Sequence, residues 1–259
     1  MSRLSKRLAL ITGGGSGIGR AIAIAFAKEG ASVAITGRRI EKLEETRLSI
    51  EKLGGKCLTY AFDVREIEKA DAFVDRVAKD LGGLHVLVNN AGISGPTPVE
   101  SVTPERWRDI MTTNCDGAYF LARAALRHIP NHADGRIINI ATIGAQIPFP
   151  GWTAYCASKS ALVGITRCLA MELAPRGITV NAILPGWVLS DMQAAGVETI
   201  AAAMGKSIDD AMPVILSQVP LGRMSDAEEV GALAVHLASH DARGMTGSSS
   251  VISNGAYMP

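Results

Sequence analysis

Tyr155 and Lys159, four positions apart, are the residues of this chain whose types and spacing most directly indicate chemistry. Residues with this spacing lie on one face of a helix. A lysine ammonium beside a phenol favours the phenolate, so we expect a lowered pKa for Tyr155. A tyrosine of that kind passes a proton to or from a carbonyl or hydroxyl group near neutral pH. The pair alone is weak evidence, because an ordinary amphipathic helix also produces this spacing.

A glycine cluster far upstream gives the pair its significance. Gly13, Gly17 and Gly19 follow the apolar run Leu8–Thr12 and precede a segment of helical period, Arg20–Glu29. Strand, glycine loop and helix form the unit that binds a dinucleotide pyrophosphate, because glycines let backbone N–H groups approach the phosphates. The spacing is G-x-x-x-G-x-G and not the common G-x-G-x-x-G. A merely flexible loop is the alternative interpretation.

The end of the second predicted strand, Ser32–Thr36, indicates which dinucleotide binds. A site for NAD usually places an acid there for the ribose diol, whereas this chain has Gly37-Arg38-Arg39. No carboxylate is present to repel a 2′-phosphate, and a guanidinium can bind that phosphate through two hydrogen bonds. The arginines therefore favour NADP(H), with NAD(H) as the alternative. Solvated charges before the next helix are the other interpretation of the pair.

Strands and helices are predicted to alternate through the rest of the chain. The further strands are expected at Cys57–Phe62, His85–Val88, Ile137–Ala141, Ile178–Ile183 and Ser248–Ile252, and the helices at Glu41–Leu53, Glu66–Leu81, Thr103 to about His128, Thr153–Ala174 and Ser225–Ala238. This alternation predicts an α/β fold with helices on both faces of a doubly wound parallel sheet of about seven strands. Without a repeat or linker, we expect a single Rossmann-like domain over residues 1–259. Asp63, after the third strand, is expected either to accept from an adenine amino group or to cap its loop.

Composition excludes several classes of function. The chain has 259 residues with a net charge of +1 and no basic stripe, which argues against nucleic acid and anionic membranes as partners. No apolar run reaches the roughly 18 residues of a membrane-spanning helix. The four cysteines lack metal or C-x-x-C spacing, and the two histidine pairs lack the glutamate of a zinc motif. We therefore expect a cytoplasmic protein with reduced thiols and no metal.

Residues 187–224 form a longer, less periodic stretch that contains Met192, Met204 and Met212. A mobile, apolar substrate lid is the expected structure, because methionine-rich surfaces adapt to varied shapes. A packed helical pair without a substrate role is the alternative. Four apolar residues near the tyrosine predict a largely apolar pocket for a small ketone or alcohol: Ile143, Ile147, Phe149 and Trp152.

Taken together, these motifs resemble the short-chain dehydrogenase/reductase family over nearly the whole chain. The resemblance rests on Thr12-Gly13-Gly14-Gly15-Ser16-Gly17-Ile18-Gly19, Asn89-Asn90-Ala91-Gly92, Asn114, Tyr155-x-x-x-Lys159 and Pro185-Gly186. Within the family, the chain is similar to 3-oxoacyl-carrier-protein and polyketide ketoreductases, and also to alcohol dehydrogenases of small or cyclic substrates. The resemblance implies a Rossmann-like sheet, a nicotinamide cofactor and a homotetramer.

The resemblance also implies a catalytic set of Asn114, Thr142, Tyr155 and Lys159. The family has a serine thirteen positions before the tyrosine, where this chain has Thr142. Threonine keeps the hydroxyl but adds a methyl group that stiffens χ1. By resemblance, Lys159 holds the nicotinamide ribose and Asn114 fixes a water that relays protons. The cofactor-binding residues are expected to be Gly13, Ser16, Gly17, Ile18, Gly19, Arg38, Asp63, Val64, Asn90, Ala91, Gly92, Tyr155, Lys159, Pro185, Gly186 and Val188.

The predicted function is NADP(H)-dependent hydride transfer between the nicotinamide and a ketone or secondary alcohol, with Tyr155 as general acid/base. One alternative is an NAD-dependent secondary-alcohol dehydrogenase. The other is a regulatory protein that binds NADP(H) and turns over weakly, which the replacement of serine by Thr142 suggests.

Overall fold

Seven parallel strands form one sheet in the order β3-β2-β1-β4-β5-β6-β7 in the part of the chain described by the structure, a computed structural model that covers residues 2–132 and 135–259. The strands are β1 Leu8–Thr12, β2 Ser32–Gly37, β3 Lys56–Ala61, β4 Val86–Asn89, β5 Arg136–Ile140, β6 Thr179–Pro185 and β7 Ser249–Ile252. Their bounds differ from the sequence predictions by a few residues at most. The predicted parallel sheet of about seven strands is thus confirmed.

Helices cover both faces of this sheet. They are α1 Gly17–Lys28, α2 Ile40–Glu51, α3 Ala70–Leu81, α4 Pro104–Met111, α5 Gly117–Ala125, α6 Thr153–Leu173, α7 Asp191–Ala203, α8 Ile208–Leu216 and α9 Ala227–Ala238. Alternate residues of a strand point to opposite faces. Ala9 and Ile11 pack with α1, α2 and α9, whereas Leu10 packs with α3, α5 and α6. The doubly wound α/β architecture is therefore as predicted.

The strand order reverses between β1 and β4, and this reversal positions the site. From β1 the chain builds outward through β2 and β3, then returns so that β4 pairs with the other edge of β1, with Ala9 opposite Val86. In open α/β sheets, ligands bind at the carboxyl ends of the strands where the order reverses. The glycine loop after β1 and the Asn-Asn-Ala-Gly segment after β4 both lie there.

The helix predicted from Thr103 to about His128 is not continuous. Thr103 caps α4 by accepting from the Arg106 backbone N–H at 3.2 Å, but Thr112–Asp116 form a π-helical segment before α5, which ends at Ala125. π-helical insertions occur frequently at functional sites. This one contains Asn114, and the extra residue in the turn changes where its side chain is presented.

The stretch from 187 to 224 contains two helices, α7 and α8, that contact each other. Ser190 caps α7 by accepting from the Gln193 N–H at 3.3 Å, and Ser207 caps α8 by accepting from the Asp210 N–H at 3.1 Å. The segment therefore has the form of the packed helical pair. Whether it moves as a lid stays a prediction.

Candidate active site

A hydrogen-bonded clasp joins the carboxyl ends of β1 and β4. Thr12 Oγ1 accepts from the backbone N–H groups of Asn90 and Ala91, each at 2.9 Å, and Asn90 Nδ2 donates to the Thr12 carbonyl at 2.9 Å. Gly13 has a φ of +66°, and a Cβ there would lie 2.7 Å from Asn90 Nδ2. A Cβ on Gly19 would overlap the Gly13 carbonyl. Only glycine fits these two positions, so the loop stays low over the sheet.

A cleft of about 250 Å³ runs from this loop to the helix that carries Tyr155. The predicted residues that line it are Gly13, Ser16, Gly17, Ile18, Arg38, Asp63, Val64, Asn90, Ala91, Gly92, Tyr155 and Lys159. Gly19 lies behind Gly13 and does not line the cleft. Pro185 and Val188 do not line it either, and Gly186 faces a second cavity.

Four cations line the end of the cleft beside β2 and β3: Arg38, Arg39, Lys42 and Arg65. The sequence interpretation assigned the phosphate to Arg38 and did not include Lys42 or Arg65 in the site. Arg39 Nη2 donates to Ser16 Oγ at 3.2 Å, which ties this arginine to the glycine loop. Arg65 pairs with Asp63 and Asp109, and Lys42 pairs with Glu45, so the positive charge suited to a phosphate comes from Arg38 and Arg39.

Asp63 belongs to an ion-pair network that sequence reasoning missed. Arg65 Nη2 donates to Asp63 Oδ2 at 2.6 Å, and Arg65 Nη1 donates to Asp109 Oδ1 at 2.6 Å. The hydrogen bonds from Arg65 hold the pKa of the Asp63 carboxyl below its usual value. A contact between Asp63 and an adenine amino group stays a prediction, since its oxygens already accept from Arg65.

At the other end of the cleft, Tyr155 and Thr142 line the same cavity. The tyrosine is partly open to the cavities, yet desolvation raises its pKa to about 12, and the nearby Thr142 hydroxyl opposes that rise. The expected lowering of its pKa by Lys159 is therefore wrong for this structure. For the pKa of Tyr155, desolvation outweighs the charge of Lys159. The Lys159 ammonium Nζ donates to the Ile140 carbonyl at 2.8 Å.

Burial also changes the titration of Lys159, which is 4% exposed. Desolvation lowers the pKa of its ammonium to about 8, so the group gains or loses its proton close to neutral pH. Tyr155 holds its proton at that pH, which is the form that donates to a ketone oxygen.

Asn114 is buried, and its side-chain amide nitrogen donates two hydrogen bonds. Its Oδ1 accepts from the Ile93 N–H at 2.8 Å, and its Nδ2 donates to the Ile93 carbonyl at 2.9 Å and to Ser158 Oγ at 3.0 Å. Ser158 Oγ in turn donates to the Tyr155 carbonyl at 2.7 Å. Asn114 thus connects the π-helical segment, the loop after β4 and the catalytic helix. Its role in a proton relay stays a prediction, and Ser158 is a supporting residue that sequence reasoning missed.

A second cavity of about 400 Å³ lies on the other side of Tyr155. Thr142, Gly186 and Trp187 line it with the four apolar residues predicted for the pocket, Ile143, Ile147, Phe149 and Trp152. Tyr155 and Met192 line both cavities. The phenol therefore stands where the two cavities meet.

Comparison with known proteins agrees with this geometry. Residues 13–257 match the family model described as enoyl-(acyl carrier protein) reductase. The chain belongs to the short-chain dehydrogenase/reductase family. It is 36% identical to the 3-oxoacyl-[acyl-carrier-protein] reductase FabG of Haemophilus influenzae, over 97% of this chain and 98% of that protein.

Solved structures of the short-chain dehydrogenase/reductase family have the same fold over nearly the whole chain. A putative short-chain alcohol dehydrogenase from Sinorhizobium meliloti superposes with a TM-score of 0.90 at 39% identity, over 98% of this chain and 97% of that one. A short-chain dehydrogenase from Burkholderia cenocepacia in complex with NADP has a TM-score of 0.88 at 34% identity, over 98% and 99%. The chain is thus an oxidoreductase of this family.

In this family member, α7 forms one wall of the second cavity. Met192, Gln193, Gly196 and Ile200 face it, and Ser190 lies against the glycine loop, with its Cβ 3.4 Å from where a Gly17 Cβ would be. The helical pair thus lines a cavity, and its role toward a substrate stays a prediction. Helical spacing of Gln193, Gly196 and Ile200 was the signal in the sequence, hidden by the alanines between them.

Within 2–132 and 135–259, no three His, Cys, Asp or Glu side chains are grouped so that they could hold a metal ion. No helix in those ranges is both long and apolar enough to cross a membrane.

Proposed function

We propose that this protein is an NADP(H)-dependent oxidoreductase that interconverts a ketone and a secondary alcohol. The observation that carries the proposal is the position of Tyr155, beside Thr142, at the junction of the two cavities. The relatives support it: FabG is by name a 3-oxoacyl reductase, and the Burkholderia cenocepacia protein binds NADP.

The cleft fits a dinucleotide phosphate. The absence of a Cβ at Gly13 and Gly19 opens the loop, and the N-terminus of α1 directs backbone N–H groups toward a diphosphate. Arg38 and Arg39 would hold the 2′-phosphate, and Lys159 the nicotinamide ribose. When bound, NADPH supplies a hydride, or NADP⁺ accepts one.

The chain's own residues handle the proton. Tyr155, protonated near neutral pH because its pKa is raised to about 12, donates its phenolic proton to the oxygen of a ketone. The Thr142 hydroxyl fixes the position of that oxygen. In the oxidative direction, Tyr155 takes the proton back from the alcohol.

Two alternatives compete with this proposal. An NAD-dependent secondary-alcohol dehydrogenase would not need the cations beside β2. A weakly active regulatory protein is disfavoured because the Thr142 hydroxyl still reaches Tyr155, as a serine hydroxyl would. The cytoplasmic location and the homotetramer stay predictions, and gel filtration with light scattering would test the second.

Replacement of Tyr155 by phenylalanine tests the proposal. Loss of general acid catalysis is expected to lower kcat by about 10²–10⁴-fold for NADPH-dependent ketone reduction. NADP⁺ affinity should stay within about threefold of the parent, since the glycine loop and the arginines are untouched. Tyr119→Phe, on a tyrosine that is 41% exposed, is the matched control and should leave kcat unchanged. Normal turnover by Tyr155→Phe would exclude the proposed mechanism.

A further inference from the structure

The lining of the second cavity is uncharged. Among the described residues that form it, there is no aspartate, glutamate, lysine, arginine or histidine. Two of the chain's three tryptophans, Trp152 and Trp187, line it together with Phe149. The Arg106 guanidinium does not line the cavity, and it donates to the carbonyl of the lining residue Ser94 at 2.7 Å. Such a wall favours a neutral ligand with a ring surface.

Gln193 is a polar group in this lining whose hydrogen-bonding capacity is unused. It is half-buried on α7, and within residues 2–132 and 135–259 its side-chain amide has no hydrogen-bond partner. Gly196 is one turn further along α7, and a Cβ there would come 3.4 Å from Gln193 Nε2. The missing side chain therefore leaves space beside the amide. An amide offers both a donor and an acceptor to a neutral polar group.

The outer surface of the α7–α8 pair adds a charge argument. Glu198, Asp209 and Asp210 are exposed on these two helices and their connection, where the exposed cation is Lys206. An anionic carrier, such as a phosphate-bearing thioester arm, would approach an acidic surface and then enter a pocket without a cation. Both features oppose it.

We infer that the pocket takes an uncharged, ring-bearing ketone with a second polar group, and that the Gln193 amide hydrogen-bonds this second group. This inference rests on the proposed function, because it takes Tyr155 as the group that meets the ketone oxygen. A buried carboxylate would find no cation among the described lining residues to offset the loss of its water, so we expect the corresponding acid to bind more weakly.

Binding to the NADP⁺-loaded enzyme, measured by isothermal titration calorimetry, tests the charge rule without turnover. Methyl 4-acetylbenzoate and 4-acetylbenzoate share one skeleton and differ in charge. The ester should bind at least about tenfold more tightly, given the cost of burying an unpaired carboxylate. Acetoacetyl-CoA, a phosphate-bearing thioester, should also bind more weakly than the ester. Equal or tighter binding of either anion overturns the inference, and so does no binding of the ester.

Gln193→Leu tests the second contact. Removal of one hydrogen bond should weaken binding of the ester by about three- to tenfold. Binding of 4-propylacetophenone, which lacks the second polar group, should stay unchanged. Gln146→Leu makes the same chemical change at an exposed glutamine outside the cavity and should change the affinity for neither ketone. An equal loss for both ketones in Gln193→Leu, or no loss for either, refutes the assigned contact.

The two proposals fail separately. Turnover of ketones that requires Tyr155 but favours the anions would leave the proposed function standing and remove the inferred substrate class. Tight ester binding without NADPH oxidation would remove the proposed function and, with it, the assignment of Tyr155 to the ketone oxygen, leaving only the binding preference of the pocket.

Discussion

At the scale of single residues, Thr142 is the main departure from the family's pattern, and its surroundings explain why it fits. A Cβ on Gly144 would lie 3.3 Å from the Thr142 methyl carbon. The absence of a side chain at Gly144 therefore leaves space for that methyl group. The hydroxyl lies beside Tyr155 in the cavity wall, donates to the Pro185 carbonyl at 3.4 Å and accepts from the Gly144 N–H at 3.2 Å. The hydroxyl chemistry of serine is kept, and the extra methyl points into the wall.

Lys159 should cost the fold stability at neutral pH. Its pKa falls from 10.5 to about 8 on folding, so below pH 8 the folded protein holds a buried, poorly solvated ammonium. Between pH 8 and 10.5 the unfolded chain binds the extra proton, and this penalty is progressively relieved. Lys159→Met should therefore raise Tm at pH 7, and the gain should shrink as the pH rises toward 10.5. Thermal unfolding across that range measures it.

The control for this prediction is Lys79→Met, at an exposed lysine of α3. No pH-dependent change in Tm is expected there. A Lys159→Met variant that is less stable than the parent at pH 7 would show that the bond to the Ile140 carbonyl outweighs desolvation.

Arg38 should determine the choice of cofactor. Arg38→Gln removes a charge-assisted contact to the 2′-phosphate, so it should lower kcat/KM for NADPH by about tenfold or more. The kcat/KM for NADH should change little. Steady-state rates with both cofactors give the ratio. Arg108→Gln, at an exposed arginine of α4 outside the cleft, should not alter it. A wild-type preference for NADH would show that the arginine does not bind a phosphate.

How far the sequence predicts the site differs from residue to residue. Gly13, Tyr155 and Lys159 were predictable because each sits in a local motif with a fixed spacing. Arg65 was not, since it bonds Asp109, which is far away in the chain, and Gln193 was not, since the cavity that it lines is formed by segments distant in the sequence. The pKa of Tyr155 shows the same limit: sequence identifies the neighbouring cation, but only the packed structure gives the larger effect of desolvation.

At the scale of elements, the strands were predictable and the π-helical segment was not. Short apolar runs that end in glycine or asparagine specify buried parallel strands. The segment Thr112–Asp116 has no such local signal. Its Asn114 is held by Ile93 and Ser158, residues 21 and 44 positions away. The helix is therefore distorted by tertiary hydrogen bonds, which helical periodicity cannot reveal.

Helix α7 should gain stability and lose ligand affinity when Gly196 becomes alanine. Alanine is favoured over glycine inside a helix by about 1 kcal/mol. The new methyl would lie at ordinary contact distance from Gln193 Nε2, so the fold tolerates it while the space beside the amide shrinks. We expect a higher Tm and weaker binding of methyl 4-acetylbenzoate. Gly164→Ala, in α6 where a Cβ meets nothing within 4 Å, is the control that should change stability alone.

At the scale of the whole molecule, α7 connects the two cavities. Its cap residue Ser190 lies against Gly17 of the glycine loop, Asp191 and Met192 line the cofactor cleft, and Ile200 lines the substrate pocket. A dinucleotide in the cleft would therefore touch the N-terminal turn of the helix whose later turns shape the pocket. Cofactor binding and pocket order should be coupled through this helix.

Hydrogen–deuterium exchange with and without saturating NADP⁺ measures that coupling. Ligand that binds only the ordered state stabilises it by mass action, so amides of Asp191–Ala203 should exchange more slowly in the complex. Those of Ala70–Leu81 in α3, which supplies no residue to either cavity, report only global stabilisation and should slow less. Equal slowing of both helices would mean that the cofactor stabilises the fold as a whole. The 187–224 segment would then be a fixed wall of the pocket rather than a lid.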